Sequence, residues 1–295
     1  MKTTADALRR IGLTANPEKP RSIAVLRRAV TQLRRLGREV LCDAGTAEFA
    51  GLRSMPTAAD PAELAGRCDL LLVFGGDGTM LRVARASAGS GVPILGVNAG
   101  NLGFLAAVQE VEVAPAIRTV LAGRFRIEDR ALLEAVVHND GTSSVQTALN
   151  DFVLSRGLAS RLIELEVAVN GQLLTRYRCD GLIASSPTGS TAYSLAAGGA
   201  IVSPDADVLT LTPICPHTLS IRPVVMNLDS VVQVTLLSRR LEATLAADGQ
   251  QLTQLATGDR VIIRRSRQSA RLLRPEGSSF FATLRQKFGW SGGNL

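Results

Sequence analysis

The hydrophobic positions in the first 124 residues follow two alternating periods. Short apolar runs bounded by turn residues lie at 11–15, 39–42, 69–74 and 92–97. Between them, apolar residues recur at helical spacing, most clearly over 22–36, and Gly37 is placed to end that helix. Further helices are predicted to begin at Asp60 and near residue 79, and another covers about 112–122. This alternation predicts an α/β domain with a doubly wound, largely parallel sheet.

The pattern changes after residue 124. Short β-branched and apolar runs now alternate with turn dipeptides such as Asn170-Gly171 and Asp248-Gly249, which predicts an all-β, sandwich-like domain over 125–275. One segment rich in small residues, PTGSTAYSLAAGG at 187–199, is expected to form a helical turn. The stretch SSFFATLRQKFGW predicts an amphipathic helix that returns to the first domain. The first domain is therefore expected to comprise 1–124 and 276–295.

Composition narrows the class of protein. The chain is 46% hydrophobic but only 4% aromatic, so its core must consist mainly of aliphatic side chains. No apolar stretch approaches the about 20 residues of a membrane span, and the N-terminus lacks the apolar region of a secretory signal. We therefore expect a cytoplasmic protein without a membrane partner. The four cysteines and two histidines lack the spacing of a disulfide framework or a zinc site.

The net charge of +7 and the pI near 9.9 indicate anionic partners. Phosphate groups are the first candidates. The basic residues occur in small, scattered groups, and no RNA-binding aromatic signature accompanies them. We expect no nucleic-acid partner.

The stretch GGDGT at 75–79 directly follows the apolar run 70–74. A glycine-rich turn between a parallel strand and a helix leaves backbone N–H groups free for phosphate. The candidate phosphate-loop residues are Gly75, Gly76, Gly78 and Thr79. The loop lacks the Lys-Ser/Thr of a P-loop and the GxGxxG of a dinucleotide fold. These residues alone leave two interpretations open. Asp77 stabilises a structural turn, or the loop exposes Asp77 to a substrate.

A second polar stretch, CDGLIASSPTGSTAYSLAAGG, covers 179–199 and places Asp180 before a strand. A buried hydroxyl needs a hydrogen-bond partner, so we interpret this concentration of hydroxyls as contacts for ribose and phosphate oxygens; a polar connecting loop is the alternative. The hydroxyls belong to Ser185, Ser186, Thr188, Ser190, Thr191, Tyr193 and Ser194. A third candidate, Asn150 and Asp151, is by itself an ordinary turn dipeptide.

Together these motifs resemble the NAD kinase family. GGDGT, NAGNLGFL at 98–105, the Asn-Asp pair before FVLSR and the long 179–199 motif occur in the family's order and spacing. The resemblance extends from the opening strand to FFATLRQKFGW. It implies an α/β domain followed by a β-sandwich-like domain, with the γ-phosphoryl group of ATP or polyphosphate transferred to the adenosine-ribose 2′-hydroxyl of NAD. GGDGT alone also resembles diacylglycerol and sphingosine kinases, so a lipid kinase and a non-catalytic NAD(H)-sensing module are the alternatives.

The resemblance also assigns roles to residues. Asp77 is the expected proton acceptor for the ribose hydroxyl. The expected substrate contacts are Asp77, Gly78, Arg82, Asn150, Asp151, Arg161, Arg178, Asp180, Thr191, Ala192, Tyr193, Ser194, Leu195, Ala196 and Gln250. A divalent cation, expected to be Mg²⁺, is held across the phosphates, and no residue is assigned as a metal ligand. NAD and ATP are the expected partners, in a homodimer or homotetramer.

Overall fold

The computed structural model describes residues 8–18, 21–98, 100, 103–139, 142–157, 161–238 and 243–290. The chain divides into two compact units. The first comprises Met1–Asp129 with Ala270–Leu295, and the second comprises Arg130–Ser269. Part of the NAGNLGFL motif (99, 101 and 102) and the last five residues of the predicted first domain (291–295) lie outside the described residues.

The first unit is built on a parallel sheet. In chain order its elements before residue 125 are β1 (Arg10–Ala15), α1 (Arg21–Arg35), β2 (Glu39–Asp43), α2 (Ala44–Phe49), β3 (Thr57–Ala58), α3 (Pro61–Arg67), β4 (Leu70–Phe74), α4 (Asp77–Ala86), β5 (Pro93–Asn98), β6 (Val108–Gln109) and α5 (Val113–Leu121). β1 pairs with β2 and β4, β4 with β5, and β2 with β3, all in parallel register. The predicted α/β class of this domain is confirmed.

Local sequence explains these elements. The apolar face of α1, which includes Val25, Leu26 and Leu33, is buried, and Gly37 follows the helix with a left-handed φ of 70°, a conformation that favours glycine. Asp60 caps α3 because its carboxylate accepts the backbone N–H of Glu63 at 2.9 Å. All five residues of β4 are buried, as expected for a strand inside a parallel sheet.

The second unit is β-rich, as predicted. The strands that follow α5 are β7 (Phe125–Asn139), β8 (Thr142–Ala148), β9 (Asp151–Ser155), β10 (Ile163–Val169), β11 (Gln172–Cys179), β12 (Gly181–Ser185), β13 (Val208–Ile214), β14 (Val224–Asn227), β15 (Val232–Leu236), β16 (Ala243–Ala247), β17 (Gln250–Leu255) and β18 (Arg260–Pro275). One antiparallel sheet has the order β14-β13-β12-β9-β16-β17. β10 pairs antiparallel with β11 and β15, and β15 with the start of β18. The predicted helical turn at 187–199 forms a 3₁₀ turn (Thr188–Thr191) and α6 (Tyr193–Ala196).

The C-terminal helix α7 (Phe280–Phe288) belongs to the first unit, as predicted. It begins after Ser279, whose hydroxyl accepts the backbone N–H of Ala282, and it ends at Gly289. The Phe104 ring lies 6.2 Å from the ring of Phe280 and 6.0 Å from that of Phe288, measured between centroids. In the described part of the chain, every helix is too short or too polar to traverse a lipid bilayer.

Candidate active site

The GGDGT motif lies where β4 and β5 end side by side. Phe74 is paired with Val97, and the N–H of Gly75 donates to the carbonyl of Val97 at 2.9 Å. α4 begins at Asp77, two residues before the predicted start, with Gly76 as its N-cap residue. A carboxylate in the first turn of a helix is favoured by the helix dipole, which explains the earlier start. Asp77 is thereby fixed at the carboxyl edge of the sheet.

The Asp77 side chain is half-buried and holds the segment that follows β5. Its Oδ2 accepts the backbone N–H of Phe104 at 2.9 Å, and its Oδ1 accepts that of Leu105 at 3.2 Å. A carboxylate has about four lone-pair sites, so two remain for a substrate hydroxyl. The two interpretations left open by the sequence are therefore compatible: Asp77 stabilises a loop and keeps acceptor capacity.

The glycines around Asp77 differ in how closely other atoms approach them. A Cβ on Gly103 would overlap the Asp77 carboxylate, and one on Gly75 would overlap the side chain of Thr79. A Cβ on Gly78, in contrast, would meet no atom of the described residues within 4 Å beyond its own helix turn. Packing within the protein thus explains Gly75 and Gly103 and leaves Gly78 unexplained.

A buried arginine supports the same segment from the other side. Arg274, on β18, is 7% exposed. It donates from Nη1 to the carbonyl of Leu105 at 3.0 Å and from Nη2 to that of Phe104 at 3.2 Å. Its Nε pairs with Glu128 at 3.1 Å. The sequence does not single out Arg274, because β18 carries several arginines and no local pattern distinguishes the buried one.

In the second unit, Asp248 anchors the Asn-Asp turn. Its carboxylate accepts the backbone N–H groups of Leu149 at 3.0 Å, Asn150 at 2.7 Å and Asp151 at 3.3 Å. The backbone N–H of Asp248 donates in return to the carbonyl of Asp151 at 3.0 Å. Asp248 adopts a left-handed φ of 49°, which aspartate tolerates better than most residues. The sequence indicated only a hairpin turn here, and the structure adds a fixed platform for Asn150 and Asp151.

Asp151 is nearly fully buried, with 4% of its surface exposed. Burial, together with the negative charge of Asp248, raises its pKa to about 7. Desolvation disfavours the charged form of an acid, and a neighbouring carboxylate acts in the same direction. Asp151 is therefore a carboxyl group that gains or loses its proton near neutral pH.

Four serines of the hydroxyl-rich motif have hydrogen-bond partners within the protein. The side chains of Ser185, Ser186, Ser190 and Ser194 are completely buried. Their hydroxyl groups bond within the protein: Ser190 donates to the carbonyl of Pro187 at 2.7 Å, and Ser194 bonds the Thr212 hydroxyl at 2.9 Å. These hydroxyls fold the segment itself. Tyr193, by contrast, is 47% exposed.

The structure brings this segment against the Asn-Asp turn. The N–H of Ser186 donates to the carbonyl of Asn150 at 2.9 Å, and its hydroxyl donates to the carbonyl of Leu149 at 2.5 Å. A Cβ on Gly189 would overlap the carbonyl of Asn150, so only glycine allows this approach. Two of the three predicted motifs thus form one packed cluster.

The remaining predicted residues are less closely tied to these clusters. Asp180 forms an ion pair with Arg156, with 2.8 Å between Oδ1 and Nε, a partner that the sequence did not suggest. Arg82 is exposed on α4 of the first unit. The exposed residues Arg161, Arg178 and Gln250 lie in the second unit.

Two family models cover most of the chain. Residues 11–125 match the ATP-NAD kinase N-terminal domain, and residues 149–275 match the ATP-NAD kinase C-terminal domain. The chain belongs to the NAD kinase family. Membership identifies it as an enzyme and confirms the predicted kinase class.

Relatives and solved structures agree with this membership. The chain is 40% identical to an NAD kinase of Syntrophotalea carbinolica, over 96% of this chain and 99% of that one. It is 42% identical to an NAD kinase of Moorella thermoacetica, over 95% and 89%. A crystal structure of yeast NADH kinase with NADH matches with a TM-score of 0.88 and 28% identity, covering 98% of this chain and 89% of that one. An NAD kinase from Archaeoglobus fulgidus in complex with ATP matches with a TM-score of 0.73 and 25% identity, covering 96% and 100%.

The side chains of this NAD kinase family member form no evident metal-binding cluster in the regions that the structure describes. There, no three or more histidine, cysteine, aspartate or glutamate residues are grouped so that they could hold an ion. The described residues therefore supply no preformed metal centre.

Proposed function

We propose that this protein phosphorylates NAD at the 2′-hydroxyl of the adenosine ribose, with ATP as donor, and releases NADP and ADP. Membership of the NAD kinase family supports the overall reaction. The observation that supports the mechanism is the position of the Asp77 side chain. Its half-buried carboxylate lies at the carboxyl end of β4, where α/β sheets bind their ligands. Two backbone N–H groups fix it and leave acceptor sites for a substrate.

In the proposed reaction Asp77 acts as general base. As the ribose 2′-oxygen bonds to the γ-phosphorus, its proton passes to the Asp77 carboxylate, and the bond from the γ-phosphorus to the β,γ-bridging oxygen breaks. Such assistance contributes ~10²–10⁴ in rate. The first turn of α4 and the N–H groups of the glycine loop suit the phosphate oxygens. Mg²⁺ would enter bound to the triphosphate and neutralise its charge.

Most of the proposed dinucleotide contacts are residues of the second unit. Asn150 and Asp151 would hydrogen-bond it, held by Asp248 and by the 185–189 segment. Asp180 and the segment from Thr191 to Ala196 would supply further contacts. Tyr193 supports this assignment because it is an exposed aromatic side chain next to Ser194, which is buried and bonded to Thr212. Arg82, Arg161, Arg178 and Gln250 belong to the proposal as exposed polar contacts.

The molecules bound in two similar solved structures support the proposed substrates in part. The archaeal structure contains ATP, and the yeast protein, named an NADH kinase, contains NADH. We propose ATP as donor here, with polyphosphate as an alternative donor, and NAD as acceptor. A cytoplasmic homodimer or homotetramer completes the proposal.

The decisive experiment measures NADP formation from NAD, ATP and Mg²⁺ with the wild-type protein and Asp77→Asn. The expected loss in kcat for Asp77→Asn is ~10²–10⁴. Asp69→Asn is a matched control, because Asp69 also accepts two backbone N–H groups, those of Arg9 at 3.0 Å and Arg10 at 2.7 Å. The control should lose stability and keep its turnover.

Other outcomes identify the alternatives. Phosphorylation of diacylglycerol or sphingosine without NADP formation would indicate a lipid kinase. NAD binding without turnover would indicate a sensing module. Wild-type kcat in a folded Asp77→Asn protein would remove Asp77 as the base.

A further inference from the structure

Arg274 is a buried cation that makes directed hydrogen bonds to Glu128, Leu105 and Phe104. With 7% of its surface exposed, it is largely removed from water, and burying a charge is unfavourable unless it is well paired. Glu128 supplies the countercharge at 3.1 Å. Two further bonds go to backbone carbonyls, those of Leu105 at 3.0 Å and Phe104 at 3.2 Å. The charged head is thus directed at one short segment of chain.

That segment is also the one that contacts Asp77. In the peptide unit between Phe104 and Leu105, the carbonyl accepts from Arg274 Nη2 at 3.2 Å and the N–H donates to Asp77 Oδ1 at 3.2 Å. The neighbouring N–H, that of Phe104, donates to Asp77 Oδ2 at 2.9 Å. A single peptide group therefore connects the guanidinium to the carboxylate.

We propose that Arg274 is a positioning residue for the reaction: it fixes the backbone of Phe104 and Leu105 so that the N–H groups of these two residues hold the Asp77 carboxylate in a productive orientation. This inference rests on the base role proposed for Asp77. Arginine suits the task because its planar fork holds two acceptors in fixed directions. An apolar residue at position 274 would fill the same buried space with less desolvation cost. Packing alone therefore does not explain why a charged residue lies there.

The consequence for catalysis follows from geometry. A shift of about 1 Å in a catalytic group can cost about 10²-fold in rate. Without Arg274, the two carbonyls lose their donors, and the segment can move together with the N–H groups that orient Asp77. Substrate binding does not depend directly on the hydrogen bonds of Arg274 to the two carbonyls. Loss of Arg274 should therefore lower kcat and leave KM nearly unchanged.

The test compares Arg274→Ala and Arg274→Lys with Arg271→Ala. Arg271 is a matched control on the same strand, since it donates from Nη1 to the carbonyl of Gly91 at 2.7 Å and pairs with Asp129 at 3.5 Å. We expect kcat to fall by about tenfold or more in both Arg274 variants. The KM values for NAD and ATP should change by less than about threefold. The control should keep its kcat.

Chemical rescue separates positioning from stability. Free guanidinium at millimolar concentration should restore turnover to Arg274→Ala by about tenfold, and should not stimulate Arg271→Ala or Asp77→Asn. If Arg274→Ala does not fold, Arg274→Lys decides, because a single ammonium cannot occupy the positions of both guanidinium nitrogens. Wild-type kcat in a folded Arg274→Lys protein overturns the inference, even if its melting temperature is lower.

The Asp77→Asn measurement keeps the two proposals distinct. If Asp77→Asn is inactive and the folded Arg274 variants have wild-type kcat, only the positioning role is wrong. If Asp77→Asn retains wild-type kcat, the base role is wrong, and the positioning role fails with it.

Discussion

The carboxylate of Asp248 accepts the backbone N–H of Asn150 at 2.7 Å, across 98 positions of sequence. The same carboxylate accepts the adjacent N–H groups of Leu149 and Asp151. The hairpin between β16 and β17 therefore fixes the backbone of the turn that begins β9. A ligand contact made by Asn150 or Asp151 depends on a residue that need not touch the ligand.

Replacing Asp248 should disturb both stability and NAD binding. Asp248→Asn keeps a side chain that tolerates the left-handed backbone, but it exchanges one acceptor oxygen for an NH₂ group that faces a backbone donor. We expect the free energy of unfolding to fall by about 1–3 kcal/mol and the affinity for NAD to fall more than that for ATP. Urea unfolding and calorimetric titration measure the two effects.

Asp259→Asn is the control for this prediction. The carboxylate of Asp259 also accepts a backbone N–H in a turn, that of Ala256 at 2.8 Å, but it is not part of the Asn-Asp platform. Its NAD affinity should equal that of the wild type. Unchanged NAD affinity in Asp248→Asn as well would mean that the platform is not needed for binding.

The pKa of Asp151 predicts how stability depends on pH. Its pKa rises from 3.8 to about 7 on folding, so between these values the folded state binds a proton that the unfolded state does not. The free energy of unfolding should therefore decrease as pH rises through this window, by on the order of 1.4 kcal/mol per pH unit. The favourable contribution is fully present below pH 3.8 and lost above pH 7.

Asp151→Asn tests this assignment directly. The variant should lack this decline and be more stable than the wild type above pH 7, because it buries no charge. Asp248→Asn should lower the pKa of Asp151, since the neighbouring charge is part of the cause. Urea unfolding at several pH values measures both effects. Parallel pH profiles for wild type and Asp151→Asn would contradict the assignment.

The fold was largely predictable because hydrophobic period is a local property. The buried strand β4 and the apolar face of α1 follow directly from the spacing of their apolar residues. The start of α4 was wrong by two residues, because Asp77 and Gly78 are poor in helix interiors but acceptable in a first turn. The local sequence pattern predicts the existence of a helix or strand more reliably than it predicts the first residue of that element.

The site was predictable only where its residues form contiguous motifs. Asp248 acts on Asn150 across 98 positions and Arg274 on Phe104 across 170, and no local period records such contacts. The hydroxyl-rich motif shows the opposite problem. Its residue types require hydrogen-bond partners, but sequence cannot say whether the partner is a ligand or, as for Ser194 and Thr212, another side chain.

The neighbours Tyr193 and Ser194 provide a direct test of the predicted NAD-binding segment. Tyr193→Ala removes an exposed ring and should raise the KM for NAD by about tenfold or more, the equivalent of about 1.4 kcal/mol, with little loss of stability. Ser194→Ala removes a buried hydroxyl and leaves that of Thr212 without its partner, so its main effect should be a loss of about 1–3 kcal/mol in stability. Steady-state kinetics and thermal unfolding of both variants measure this contrast. An unchanged KM for NAD in folded Tyr193→Ala would remove this side chain from the site.

Gly78 offers a test in which packing within the protein plays no part. Among the described parts of the chain, a Cβ at this position would meet no atom within 4 Å beyond its own helix turn, and alanine favours a helix over glycine by about 1 kcal/mol. Gly78→Ala should therefore fold at least as well as the wild type. If Gly78 lines the substrate site, as proposed, the added methyl group occupies space that a substrate needs, and kcat/KM should fall by about tenfold or more.

Substitutions at two other glycines serve as comparisons for the expected fall in kcat/KM of Gly78→Ala. Gly66→Ala, on α3, likewise places its Cβ in open space and should leave activity unchanged. Gly103→Ala forces a Cβ into the Asp77 carboxylate, so it should lower both stability and kcat. Thermal unfolding and NADP formation, measured on all three variants, distinguish the cases. A Gly78→Ala protein that is stable and fully active would show that the space beside Gly78 is not used by a substrate.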